Sequence, residues 1–208
     1  GDPHLLANKY GQFSADGKEY VITNPRTPRP WVNVVSNGDY GFVVSQTGGG
    51  FSWRGNAEQN RLTRLYQDLI KDNFGKYFYL RDRQNGRYWS LSWMPTQTPY
   101  EAFSVRQGVG YSIFEYQVEG VHTAMKMFVV PRQPLEIIEI AITNKSAAPK
   151  DLDLTSYFEW EAAIHPDAHR EFHKLFMDTS FDPNLNALKL LKGGGPARPA
   201  RVPPGSAA

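Results

Sequence analysis

The residues whose types and spacing can do chemistry fall into four groups. His165, His169 and His173 stand at i, i+4 and i+8, interleaved with Asp167 and Glu171. On a continuous helix three such rings share one face, the layout of a divalent-metal site. Pro166 holds His165 in extended backbone, however, and two helical turns spread the outer rings by about 12 Å. At most His169 and His173 can share an ion, and a polar binding loop fits the segment better. Arg61 and Arg64, with Arg54 nearby, carry planar forks suited to carboxylate or phosphate, although on an amphipathic helix the same charges form a solvated face. Thr47-Gly48-Gly49-Gly50 lets backbone N–H groups approach a phosphate or sugar oxygen. No Gly-Lys-Ser/Thr follows as in a phosphate loop, and a flexible hairpin loop has the same composition. Glu159 and Glu161 flank Trp160 and can leave one strand face. Glycosidases use carboxylate pairs, but neighbours on one strand rarely straddle a bond, so a solvent-facing strand edge is the reading. Spacing singles out no Ser-His-Asp set. It also gives no support to a sugar epimerase built on His122 with Glu115 or Glu139.

The elements that must position these groups are mostly strands. Alternation of apolar and polar residues runs from about residue 19 to residue 160. Tyr77 and Tyr79 share one strand face, and Trp89, Leu91 and Trp93 share a face on the returning strand, joined through Asn85-Gly86 as a hairpin turn. A second hairpin turns at Glu119-Gly120. Ser112, Phe114, Tyr116 and Val118 alternate before it, and Val121, Thr123, Met125, Met127 and Val129 after it. Ile138, Ile140 and Ile142 form one further face, and Leu152, Leu154, Phe158 and Trp160 another. Leu62, Leu65 and Leu69 predict a short helix over residues 56–71 with Asn56 as its cap, and a second helix is predicted over residues 165–177. The fold class is therefore all-β, an antiparallel sandwich with one or two short helices. It is expected over residues 1–191, followed by a Gly/Pro/Ala-rich tail or linker over 192–208.

Composition narrows the function. The 208 residues carry 23 Lys and Arg against 21 Asp and Glu, a formal +2 that argues against nucleic acid as partner. There is no cysteine, which excludes a disulfide framework and a thiol nucleophile. No apolar run approaches the roughly 18 residues of a membrane helix, and Gly1-Asp2-Pro3-His4 lacks the regions of a signal peptide, so no membrane and a cytoplasmic setting are expected. The excess is aromatic, with 5 Trp, 11 Tyr and 12 Phe. Such rings build β cores and also stack on sugars, which makes a carbohydrate the ligand that the residues favour.

Several stretches in order resemble the N-terminal domain of the cellobiose phosphorylase family, glycoside hydrolase family 94, formerly glycosyltransferase family 36. They are YGQFSADGKEYVITNPRTPRPWVNVVSNGDYGFVVSQTGGGFSW, RLTRLYQD, GKYFYLRDRQNGRYWSLSWMP, VHTAMKMFVVP, EIIEIAITNKS and DLDLTSYFEW, over roughly residues 9–190. The resemblance implies a β-supersandwich similar to galactose mutarotase. It implies a reaction in which inorganic phosphate, as co-substrate, cleaves a β-linked glucosyl disaccharide with inversion to α-glucose 1-phosphate and a free acceptor sugar. Neither metal nor organic cofactor is implied. In the family the general acid and the main phosphate ligands lie in a following (α/α)6 barrel, so this chain alone is expected to be inactive, with no catalytic residue of its own. A homodimer is also implied. The family segment after the FEW-like strand carries an Asn-aromatic-Gln-Arg stretch near the acceptor. The match places Glu171, Phe172, His173 and Lys174 on it, so that Arg170, Phe172, His173 and Lys174 are the expected substrate-binding residues. Arg170, His173 and Lys174 would suit a carboxylated acceptor. Gly48, Gly49, Gly50, Arg61 and Arg64 match family text as well, as possible loop contacts. The alternative is a standalone carbohydrate-binding sandwich without catalysis.

Overall fold

Alternation at period two builds strands, and the computed structural model, which describes residues 7–65, 68, 70–163 and 175–193, consists of them. In chain order they are β1 (Gly11–Phe13), β2 (Glu19–Ile22), β3 (Val32–Ser36), β4 (Tyr40–Ser45), β5 (Gly50–Arg54), β6 (Arg61–Thr63), β7 (Tyr77–Asp82) and β8 (Tyr88–Ser90). They continue with β9 (Ala102–Gly108), β10 (Tyr111–Val118), β11 (Val121–Val129), β12 (Glu136–Asn144), β13 (Leu152–Tyr157), β14 (Trp160–Ala163), β15 (Met177–Asp182) and β16 (Ala187–Lys192). The chain divides into two compact units, Gly1–His165 and Pro166–Ala208. In the second, β15 and β16 pair as an antiparallel hairpin.

Every pairing in the first unit is antiparallel. A six-stranded sheet has the order β1-β2-β9-β10-β11-β12, a five-stranded sheet the order β14-β6-β5-β4-β3, and a three-stranded sheet the order β13-β7-β8. One apolar core joins them. Ile22, Val105, Phe114, Tyr116 and Met125 of the large sheet pack with Val35, Phe42 and Val44 of the five-stranded sheet and with Leu80 and Trp89 of the three-stranded one. The central hairpin forms as its pattern predicts. Val118 faces Val121 across Glu119 (φ 51°) and Gly120 (φ 72°), the two left-handed residues of a type I′ turn. All the residues named above on its inward face are buried. Asn33 of β3 ties the facing sheets, its Nδ2 lying 3.0 Å from Gly108 O and 2.8 Å from Tyr111 O.

Three expectations are corrected. No helix is present among the described residues, and none is long and apolar enough to cross a membrane. Within residues 56–71, Asn56 does cap, accepting from Glu58 N and Gln59 N at 2.9 Å, but it caps a single turn that leads into β6. A helix this short is marginal by itself, and strand pairing with β5 and β14 overrides its leucine spacing. Of the helix predicted over 165–177, residues 165–174 lie outside the described ones and Met177 opens β15. The second correction concerns the hairpin at Asn85-Gly86, where only Gly86 has a positive φ. The loop is instead held by the solvent-excluded Asp82 carboxylate, which accepts from Gln84 N at 2.9 Å and from Lys150 Nζ at 3.0 Å. These bonds, the lysine's first, hold Asp82 below the usual carboxylate range. Third, the run from Leu152 to Trp160 is two strands in two sheets. Leu152 packs on the core while Leu154 is exposed.

Candidate functional site

The glycine loop follows β4 and is buried throughout, not a flexible hairpin. Gly48 N–H donates to Ser45 O at 3.0 Å, Gly50 N–H to Phe74 O at 2.8 Å, and Ser45 N–H to Gly49 O at 2.7 Å. The close approach that the glycines allow is to the protein itself. A Cβ on Gly49 would stand 2.5 Å from Asp72 Oδ1, and one on Gly48 would stand 2.5 Å from Ser92 Oγ. Gly50, at φ 152°, would drive a Cβ to 1.9 Å from Val43 O, so no other residue fits there. Asp72 clamps the loop from the far side, accepting from Ser45 Oγ and Thr47 Oγ1 at 2.5 Å. Burial pushes its carboxyl above the usual range, against those two hydrogen bonds.

The arginines and glutamates that the sequence presents as separate groups meet across β6 and β14. Arg64 forms an ion pair with Glu159 through Nη1, and Tyr157 Oη donates to the other oxygen of Glu159 at 3.0 Å. Arg61 lies over the Phe51 ring at 3.7 Å and donates from Nε to Ala57 O at 3.1 Å. Its burial lowers its pKa, and the neighbouring charge of Glu161 opposes that. Glu161 is itself 9% exposed, so the solvent-facing edge expected for the two glutamates is not what forms. Between the partners Trp160↔Thr63 and Ala163↔Arg61, β14 bulges, with Ala162 at φ 44°.

Arg64 and Glu159 border a cavity of about 230 Å³ where the strand β13 hands over to β14. Its walls include Phe74, Tyr77, Tyr79, Pro95 and Tyr157. The tyrosines share one sheet face, because Tyr157 is the register partner of Tyr77 and Tyr79 follows two residues on. Tyr77 is only 3% exposed, and burial raises its phenol far above the ordinary value. Its hydroxyl has no hydrogen-bond partner among the described residues, and neither does Arg64 Nε. The sequence points to Tyr77 and Tyr79 only as a strand face. That the face lines a cavity depends on Tyr157, 80 residues away in the chain.

Arg170, Phe172, His173 and Lys174, with His165, Asp167, His169 and Glu171, lie outside the described residues. Among the described residues no three His, Cys, Asp or Glu side chains gather as a metal ion would require. His122, Glu115 and Glu139 sit on the neighbouring strands β11, β10 and β12. Glu139 is the register partner of Lys126, and Glu115 accepts from Ser104 Oγ at 3.1 Å.

Residues 18–192 match the family model described as Glycosyl hydrolase 94, supersandwich domain. Among curated proteins, the chain is 32% identical over 182 residues to the N,N'-diacetylchitobiose phosphorylase of Vibrio proteolyticus, covering 85% of this chain and 23% of that protein. It is 34% identical over 154 residues to the N,N'-diacetylchitobiose phosphorylase of Vibrio furnissii, covering 73% and 19%. It is 29% identical over 154 residues to the solabiose phosphorylase of Paenibacillus borealis, covering 73% and 20%. The chain thus spans less than a quarter of the length of these relatives.

Proposed function

This chain belongs to the glycosyl hydrolase 94 family as its supersandwich domain, and from that premise we propose that it serves an inverting disaccharide phosphorylase as the N-terminal domain. The observation that carries the reading is the match over residues 18–192, together with relatives named as disaccharide phosphorylases in which it spans about a fifth of the length. In the reaction, phosphate attacks one face of a β-glucosyl unit while a general acid protonates the leaving oxygen on the other, giving α-glucose 1-phosphate in one inversion. Three of the described acidic groups are held by partners within the fold. Glu159 is engaged by Arg64 and Tyr157, Asp72 by Ser45 and Thr47, and Asp82 by Lys150. The acid and the phosphate ligands belong to an (α/α)6 barrel that this domain accompanies. Arg170, Phe172, His173 and Lys174 approach the acceptor sugar, within a cytoplasmic homodimer of galactose mutarotase-like sandwiches.

The test compares the isolated chain with a fusion of residues 18–192 to the remaining part of the Vibrio proteolyticus relative. Both are assayed for sugar 1-phosphate released from β-linked disaccharides by inorganic phosphate. The fusion is expected to release it and the isolated chain none. Release by the isolated chain, or a folded fusion that cleaves no disaccharide, overturns the reading.

A further inference from the structure

A strand at the rim of a sheet shows a row of unpaired N–H and C=O groups, and native folds keep such strands short, carry lysine or proline on them, or cover them. At one rim of the six-stranded sheet β1 has three residues. At the other, β12 has nine, with no proline, lysine or arginine among them and no second partner strand among the described residues. Its open side follows from the hydrogen bonds at its ends. Val130 N–H donates to Leu135 O at 2.9 Å and Lys145 N–H to Gly120 O at 2.7 Å, within one unbroken register. Every second residue from Leu135 to Lys145 therefore bonds to β11, and Glu136, Ile138, Ile140, Ile142 and Asn144 turn their N–H and C=O groups to the open edge. Ile138 and Ile140 pack against the core while only half-buried, and Ile142 is exposed.

We propose that a second copy of this chain occupies this edge, β12 on β12, antiparallel across a two-fold axis at Ile140. The strand is its own complement in that register. Ile140 is its middle residue, so all nine residues overlap, with Ile140 facing Ile140 of the partner subunit and Ile138 facing Ile142 of the partner subunit. The isoleucine face of one copy thus runs on into that of the other. Ile138 also lines a cavity of about 250 Å³ with Leu135, Phe158 and Trp160, so the isoleucine set beside it has apolar space to fill. Charge selects the same register. Glu139 comes opposite Ala141 of the partner subunit, and Glu136 is already held by Lys76 within its own fold. Moving the axis to Glu139 would set two carboxylates against each other, and moving it the other way, to Ala141, would leave the first two residues of each strand unpaired. The pairing deepens the homodimer read above by giving it a surface, and it stands or falls without phosphorolysis.

The test is sedimentation velocity of the whole chain over a concentration series, where a monomer–dimer equilibrium is expected. Ala141→Glu, at an exposed position, sets a carboxylate against Glu139 of the partner subunit twice per dimer and should weaken association about tenfold. Ala141→Lys should tighten it by about the same factor, and both variants should melt as the parent chain does. Ile142→Lys supplies the lysine that edge strands otherwise carry and should abolish the dimer. The chain has no cysteine, so Glu139→Cys combined with Ala141→Cys reports the register directly. The two positions face each other as a non-hydrogen-bonded pair with Cα atoms about 4.5 Å apart, within disulfide reach, and oxidation should give a covalent dimer. A folded chain that stays monomeric at every concentration overturns the proposal. So does a dimer that neither Ala141 variant changes, or one in which the paired cysteines do not cross-link. Sugar 1-phosphate release by the fusion described above is read separately and can succeed or fail with any of these results.

Discussion

The six-stranded sheet and the region around the glycine loop are held together by opposite means. In the sheet, Phe114, Tyr116, Met125 and Met127 bury apolar surface on one face, each with neighbours supplied by the same hairpin. Around the loop the groups that hold the fold together are charged or hydroxylic, from fully to partly buried. Asp72 lies with Ser45 and Thr47, Lys76 is paired with Glu136 beside Ser52 and Tyr40, and Arg64 is paired with Glu159. Apolar contact is non-directional and proportional to area, so a core built from it tolerates changes of shape. A buried charge tolerates nothing of the kind, because its desolvation is offset only by one particular partner. The partner of Lys76 is 60 residues away and that of Arg64 is 95 residues away.

The contrast can be broken by comparing two substitutions of similar size. Lys76→Met should cost about 3–5 kcal/mol, because it leaves Glu136 buried without its cation. Phe114→Leu, at a fully buried position of the sheet, should cost about 1.5 kcal/mol or less. Urea unfolding of both measures the difference, and a Lys76→Met variant no weaker than Phe114→Leu would remove the distinction. Adding Glu136→Leu to Lys76→Met should restore most of the loss, since it takes away the stranded charge.

Acid titration sharpens the same comparison within the polar region. Asp82 is held below its ordinary value, so its stabilisation is present above about pH 4 and is lost as pH falls through the lowered value. Asp72 is raised by burial, so its effect has the opposite sign. The folded state favours the protonated form, and stability falls as pH rises through the raised value. Unfolding measured between pH 3 and 7, the range of order of ordinary carboxylate titration, should show a shallower acid-side loss in Asp82→Asn and a steeper one in Asp72→Asn. Equal profiles in the two variants would contradict these directions. The smallest effect is expected at the surface. Arg83 and Asp151 lie 3.7 Å apart with both side chains 58% exposed, and Arg83→Ala should change stability by about 0.5 kcal/mol or less in the same urea assay.

Legibility in the sequence followed the same division. The hairpin at Glu119-Gly120 could be read residue by residue, because turn chemistry and period-two alternation are both local. The leucine spacing of residues 56–71 misled because a three-residue strand, β6, draws its stability from β5 and β14 rather than from its own pattern. Arg61, Arg64, Glu159 and Glu161 were visible as candidates, but only as two unrelated groups. Residue types disclose charge, and which side chains meet depends on how the distant strands β6 and β14 align. Tyr77 was legible as a strand residue and not as a site residue, since nothing near it in the chain announces that its hydroxyl is left without a partner.

By itself the sequence determined that this protein is an antiparallel β-sandwich without cysteine chemistry, and its ordered motifs determined its family. Both are properties of near neighbours in the chain: alternation, turns and short runs of text. Only the tertiary structure decided that the space beside the three glycines is filled by the protein's own Ser92, Asp72 and Val43, that Arg64 has Glu159 as its carboxylate, and that three tyrosines and Phe74 line one cavity. The physical reason is range. Burial energies sum over local patterns, whereas polar satisfaction is settled atom by atom between segments that meet only once the sheets have formed.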